Sequence, residues 1–190
     1  MSQGRIVLLA SGSGSIAQAI IDAAANGSLD AKIVAVICDQ PGAQVIERAT
    51  AANIDTFLIP MQQDRKNWDI ELLDRLTLLN PDLVASAGFM RILSGECVSR
   101  FSIVNSHPAL LPLFPGAHAV RDALAAGANQ TGTTIHWVDK GIDTGEIIAQ
   151  ETVEITPTDT EVTLHERIKI VERRLYVATL QQLLTNLVRS

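Results

Sequence analysis

The sequence predicts an α/β protein: a mostly parallel, Rossmann-like sheet with helices on both faces and an antiparallel C-terminal extension. Three observations predict it. Short continuous apolar runs alternate with segments of helical period, the pattern of strands covered on both faces by crossover helices. The chain has 190 residues, 47% apolar but only 4% aromatic, so it holds material for one aliphatic core and hardly for two. Late in the chain two apolar runs, 133–138 and 147–155, are joined by the short turn 139–145, which is the spacing of an antiparallel pair.

Residues 5–10 (RIVLLA) read as the first strand and 11–15 (SGSGS) as a turn. Ile16, Ala19, Ile20 and Ala23 then share one helical face. A second strand at 32–38 (KIVAVIC), a helix at 43–52 and a short strand at 56–59 follow. The helix 68–79 carries Trp68, Leu72, Leu73, Leu76 and Leu79 and ends at Asn80-Pro81, because proline cannot continue a helix and restricts the residue before it. Residues 83–87 (LVASA) form the fourth strand and 103–105 the fifth, followed by a proline-rich loop. Thr158-x-x-Glu161 is a capping box that opens the last helix. Its stripe is Leu164, Ile168, Val171, Leu175 and Ala178. The further leucines Leu180, Leu183, Leu184 and Leu187 call for docking on the sheet or on a partner chain, which leaves a homodimer open.

Charge and composition exclude several functions. Fifteen basic against 21 acidic residues leave a net charge of −6, which argues against a sequence-independent nucleic-acid binder but not against a local basic pocket for a small anion. The first apolar run is too short for a signal peptide or a membrane span, so the chain is expected to be cytoplasmic and off the membrane. Cys38 and Cys97 lack CxxC spacing and read as buried free thiols of a reducing compartment. The four histidines have no metal-ligand spacing, so no metal is expected.

Two motifs carry chemistry. Gly12-x-Gly14-x-x-Ala17 follows a strand and opens a helix, and Asp39 stands at the end of the second strand. That is the context of a dinucleotide fingerprint, but its physics is wider. Small residues, exposed N–H groups and a helix N-terminus suit any phosphate, and Ser11, Ser13 and Ser15 add hydroxyls. The second motif is Asn105-x-His107 at the end of a strand, where sites of open α/β sheets lie. Residues two apart on a strand point the same way. An amide donor beside an imidazole suits a tetrahedral acyl-transfer intermediate. Asp143, in the glycine-rich turn 141–145, can bring a carboxylate to the histidine.

At these residues the chain resembles the 10-formyltetrahydrofolate-dependent formyltransferases, nearest the branch whose acceptor is glycinamide ribonucleotide in purine synthesis. The motifs are SGSGS at 11–15, AGFMRIL at 87–93, NSHPALLP at 105–112, FPGAHA at 114–119 and GIDTGEIIAQ at 141–150, and the interval from His107 to Asp143 fits the family. The resemblance implies one domain, 1–190, with a phosphate-binding half about 1–100 and a folate and catalytic half about 101–190. It implies Asn105, His107 and Asp143 as the catalytic trio, with Asn105 also touching the folate. Gly12, Ser13, Gly14 and Ser15, with Lys169 and Glu172, match ribonucleotide positions; Arg65, Met90, Arg91, Ile92 and Leu93 match folate positions. The implied cosubstrate is 10-formyltetrahydrofolate, with no metal, and the partners are small molecules. Two positions depart from the pattern: Ile16 replaces a polar residue after the phosphate loop, and Leu113 replaces a basic one.

Other readings remain. Folate hydrolases and formyltransferases acting on tRNA share the trio, but the resemblance gives them extra domains for which this sequence shows no segment. An NAD-dependent oxidoreductase would use Gly12, Gly14, Ala17 and Asp39 but leaves the trio without a joint role. A folate- or nucleotide-binding module without turnover is the third. His136, inside the strand pattern TTIHWV, reads as a satisfied structural histidine.

Overall fold

A computed structural model describes residues 3–187. The apolar runs assemble into one seven-stranded sheet in the order β3-β2-β1-β4-β5-β6-β7. Its first five strands are β1 (Gly4–Ala10), β2 (Ala31–Cys38), β3 (Asp55–Leu58), β4 (Leu83–Ser86) and β5 (Ile103–His107), all parallel. The last two, β6 (Gln130–Trp137) and β7 (Ile147–Glu154), run antiparallel, as expected from the short turn between them. The helices are α1 (Ser15–Asn26), α2 (Gln44–Ala51), α3 (Arg65–Leu79), α4 (Gly95–Arg100), α5 (Ala119–Ala125) and α6 (Glu161–Leu187). The order turns outward from β1 in both directions, to β2 on one side and β4 on the other. This switch point is where a ligand crevice opens beyond the strand ends.

Strand alternation divides the core. Ile6 and Leu8, with Val36, Ala85, Val104 and Ile135, pack under α1 and α6. Val7 and Leu9, with Ile37, Val84 and Ile103, pack under α3, around the fully buried Trp68. Both faces of the central strands are therefore dry, which is why they read as continuous apolar runs.

Several elements differ from the sequence reading. The short helices α4 and α5 have no counterpart in the sequence reading. Each is under two turns, too short for a periodic signal, and α4 is marked only by its cap, Ser94 Oγ accepting from Cys97 N at 3.2 Å. The capping box of α6 lies two residues later than expected. Thr160 Oγ1 accepts from Thr163 N at 3.2 Å and Thr163 Oγ1 from Thr160 N at 2.9 Å. Thr158 is displaced because Asp159 turns back to accept from Thr156 N at 2.7 Å. The buried stripe of α6 runs through Leu164, Ile168, Glu172, Tyr176, Leu180 and Leu184, a strict spacing of four, while Ala178 is exposed. Leu180 and Leu184 dock on this chain's own sheet, so they do not call for a partner. The side chain of Leu187 lies outside the described residues.

Candidate active site

Strand register builds the centre. Asn105 and His107 both lie on β5, and the antiparallel pairing sets His136 of β6 directly opposite Asn105. Opposed side chains on one sheet face are close enough to bond. Asn105 Nδ2 stands 3.2 Å from His136 Nε2, and His136 Nδ1 stands 2.9 Å from the Trp137 carbonyl. A neutral His136 with its proton on Nδ1 satisfies both: it donates to Trp137 and accepts from Asn105. One amide proton of Asn105 is thus held, and the other remains available to a ligand.

The loops add the remaining groups. Asp143 has φ 55°, the left-handed region that aspartate tolerates, within the turn that joins β6 to β7. The turn brings Asp143 Oδ2 to 3.3 Å from His107 Nδ1 and Oδ1 to 3.6 Å from His136 Nε2. Gly116 N donates to the same carboxylate at 2.8 Å. The other ring nitrogen of His107, Nε2, lies 2.8 Å from the Phe114 carbonyl, where Phe114 also has a positive φ of 54°. Both nitrogens of His107 therefore face oxygen acceptors, so a ring carrying two protons is fully satisfied. Burial works to raise the Asp143 carboxyl. The Gly116 N–H and the charge of His107 pull the other way, and the group stays below the usual carboxylate range.

The glycine loop follows β1, which β4 separates from β5 in the sheet. Gly14, at φ 70°, ends the loop in a conformation that glycine adopts freely, and no side chain caps α1. A Cβ on Gly14 would lie 2.5 Å from Val45 Cγ2, so α2 packs directly against the loop. Val45 N donates to the Gly12 carbonyl at 3.3 Å and Arg48 Nε to the Ser13 carbonyl at 2.8 Å. With its carbonyls tied back, the loop can present its N–H groups outward. Gly12 and Ser13 are exposed and Ser15 is half-buried. Ile16 turns into the core, and Leu113 is exposed.

The segment of Met90, Arg91, Ile92 and Leu93 follows β4 without regular structure. Met90 and Ile92 are exposed, while Leu93 is buried under α3. The Arg65 guanidinium binds the Ile92 carbonyl, pairs with Asp69 at 2.8 Å and stacks 4.9 Å over Trp68. On α6, Glu172 is buried, which pushes its carboxyl up against the opposing pull of the Ser106 hydroxyl and the charges of Lys169 and Arg173. Ser106 points to the opposite sheet face from Asn105 and His107, so Glu172 reaches the strand end from the other side. The Lys169 ammonium pairs with Glu166 at 2.7 Å rather than with the loop.

The structure thus brings Asn105, His107 and Asp143 together and adds His136, which the sequence reading takes as structural. The hidden signal is register: which residue of β6 opposes Asn105 is set by strand pairing and not by local pattern. Arg48, which braces the loop, also goes unread, because a helix arginine looks like any solvated charge. Asp39 is only 2% exposed and is taken by Arg91 Nε at 2.6 Å, so it offers no reachable carboxylate to a dinucleotide ribose.

The family model described as formyl transferase matches residues 4–180. This chain belongs to the formyl transferase family. The phosphoribosylglycinamide formyltransferase of Mycobacterium tuberculosis is 47% identical over 96% of this chain and 86% of that protein. The enzyme of the same name from Bacillus subtilis is 38% identical over 95% of this chain and 94% of its own. Among solved structures, glycinamide ribonucleotide transformylase 1 from Symbiobacterium toebii superposes with a TM-score of 0.94 at 36% identity, covering 97% of this formyl transferase chain and 89% of that one.

Proposed function

We propose that this formyl transferase moves the formyl group of 10-formyltetrahydrofolate to the primary amine of 5′-phosphoribosylglycinamide. The observation that carries the reading is the convergence of Asn105, His107 and Asp143 at the C-terminal end of β5, in a chain whose relatives bear that activity in their names. The amine nitrogen attacks the formyl carbon, a tetrahedral intermediate forms, and the bond to N10 breaks. The amine gives up one proton and N10 gains one. The free amide proton of Asn105 donates to the oxygen as it becomes an oxyanion. Substrate draws His107 Nε2 from the Phe114 carbonyl, so that His107 carries the proton at the reacting centre while the ionised Asp143 holds Nδ1 and stabilises the charged form. His136 keeps the Asn105 amide turned for its task.

The two cosubstrates meet from opposite sides of this centre. The uncapped N-terminus of α1 and the Gly12–Ser15 amides receive the ribonucleotide phosphate. Glu172 takes ribose hydroxyls or the amine, and Lys169 adds positive charge once drawn from Glu166. The exposed Met90 and Ile92 and the backbone of Arg91 and Leu93 line the pterin pocket, and Arg65 faces the glutamate end. The reaction as written needs no metal. Among the described residues no helix is long and apolar enough to cross a membrane.

The test is formyl loss from 10-formyltetrahydrofolate, followed by absorbance with and without the ribonucleotide. Loss only with the ribonucleotide present is expected. Loss without it would make the chain a hydrolase, and no loss in either case would overturn the reading.

A further inference from the structure

Ser11, at the start of the glycine loop 11–15, is hydrogen-bonded to the stretch 88–90 that leads into the segment Met90–Leu93. Ser11 N donates to the Gly88 carbonyl at 3.1 Å, and Ser11 Oγ accepts from Met90 N at 2.8 Å. One residue of the glycine loop therefore holds both ends of a three-residue stretch of the neighbouring segment. At the tip of β2, Asp39 Oδ2 takes Arg91 Nε at 2.6 Å and Gln40 Nε2 at 3.1 Å. Asp39 is buried, so its charge strongly favours keeping Arg91 in place. On the far side Arg65 holds the Ile92 carbonyl. The segment itself packs little: Met90 is 72% exposed and Ile92 57%. Its position rests on these polar ties and on Leu93.

We infer that Ser11 is a positioning residue that couples the two substrate subsites, so that filling the phosphate loop tightens folate binding and the reverse, while Asp39 holds only the folate segment. The inference rests on the assignment of the loop to the ribonucleotide and of the segment to the folate. A ligand that orders the loop orders Ser11, and Ser11 carries that order to the Met90 amide. The segment then has less freedom to lose when the pterin binds, which is positive coupling without a large movement. Coupling between two sites is reciprocal, so either ligand reports it. Asp39 acts on one side only, because it touches the segment and not the loop amides.

The test is calorimetric titration of tetrahydrofolate, with and without saturating ribose 5-phosphate, which carries the phosphate and sugar but no amine to react. A coupling carried by one neutral hydrogen bond is expected to tighten tetrahydrofolate about three- to tenfold in the unaltered protein. Ser11→Ala still binds both probes, but the factor falls to near one; Ser11→Thr, which keeps the hydroxyl, retains it. Asp39→Asn weakens tetrahydrofolate binding and leaves ribose 5-phosphate binding unchanged. Ser11→Cys, close in size but a weak acceptor, carries the comparison if Ser11→Ala does not fold. Unaltered protein that binds tetrahydrofolate with no coupling, or with a coupling that Ser11→Ala leaves intact, overturns this inference alone. Unaltered protein that binds no tetrahydrofolate overturns the functional reading beneath it.

Discussion

If His136 works through Asn105, the two residues cannot contribute independently to turnover. The Asn105 amide is aimed by one neutral hydrogen bond of 3.2 Å to His136 Nε2, and His136 is itself fixed by the Trp137 carbonyl at 2.9 Å. Removing an oxyanion donor costs about 2.7–4 kcal/mol, so Asn105→Ala is expected to lower kcat roughly 100- to 1000-fold. His136→Ala leaves the donor present but free to rotate. Its cost is bounded by that of losing the donor and is expected at about 1.4–2.7 kcal/mol, roughly 10- to 100-fold in kcat. In the Asn105→Ala background there is no amide left to aim, so the further loss from His136→Ala should shrink to about threefold, carried through its 3.6 Å approach to Asp143. The coupling energy of the cycle is then about 1–2 kcal/mol. The assay is steady-state formyl transfer for the four proteins, with thermal unfolding to confirm that each is folded. Additive losses would refute the reasoning, and His136 would then be a separate contributor.

Further outcomes are expected at three residues, Asp143, Glu172 and Gly14. Asp143→Asn loses about 100-fold or more in turnover, measured by the same assay, because the amide cannot answer a charged His107. The lowered pKa of Asp143 also has a sign: its ionised form stabilises the fold above its unfolded value near 3.8, and that contribution is lost as pH falls through the lower folded value. Unfolding midpoints measured across acid pH should therefore fall more steeply for the unaltered protein than for Asp143→Asn. Glu172 has the opposite sign. Its folded pKa is raised by burial, so the ionised form is penalised once pH rises past the ordinary value of 4.5, and the penalty grows toward the folded value. Glu172→Gln should raise the unfolding midpoint at neutral pH and not at about pH 4, while weakening the ribonucleotide about tenfold in KM; a lower midpoint at neutral pH would contradict the burial argument. Gly14→Ala combines a left-handed φ of 70° with a Cβ placed 2.5 Å from Val45 Cγ2. It is expected to cost about 2–4 kcal/mol, a drop of roughly 5–15 °C in Tm by calorimetry.

The layer architecture and the chemical cast are legible in the residues alone. Strands buried on both faces must be apolar throughout, so β1, β2 and β4 show their nature in a few residues. The glycine loop is equally legible, because only small residues tolerate both its φ and its contact with Val45. Asn105 and His107 can be paired by their spacing alone, since a strand sends alternate side chains to one face. Everything that depends on register and loop path comes from contacts between distant segments. His136 enters the site because β6 pairs with β5 one way and not one residue along. Asp143 reaches His107 because a turn distant in sequence folds over the end of β5. The same logic removes Asp39 from the binding surface. At the tip of β2 it looks like a ribose ligand, but the chain returns 52 residues later to place Arg91 upon it. Local pattern reports what each residue needs, burial or a partner; long-range contacts between segments close in space alone decide which partner it finds.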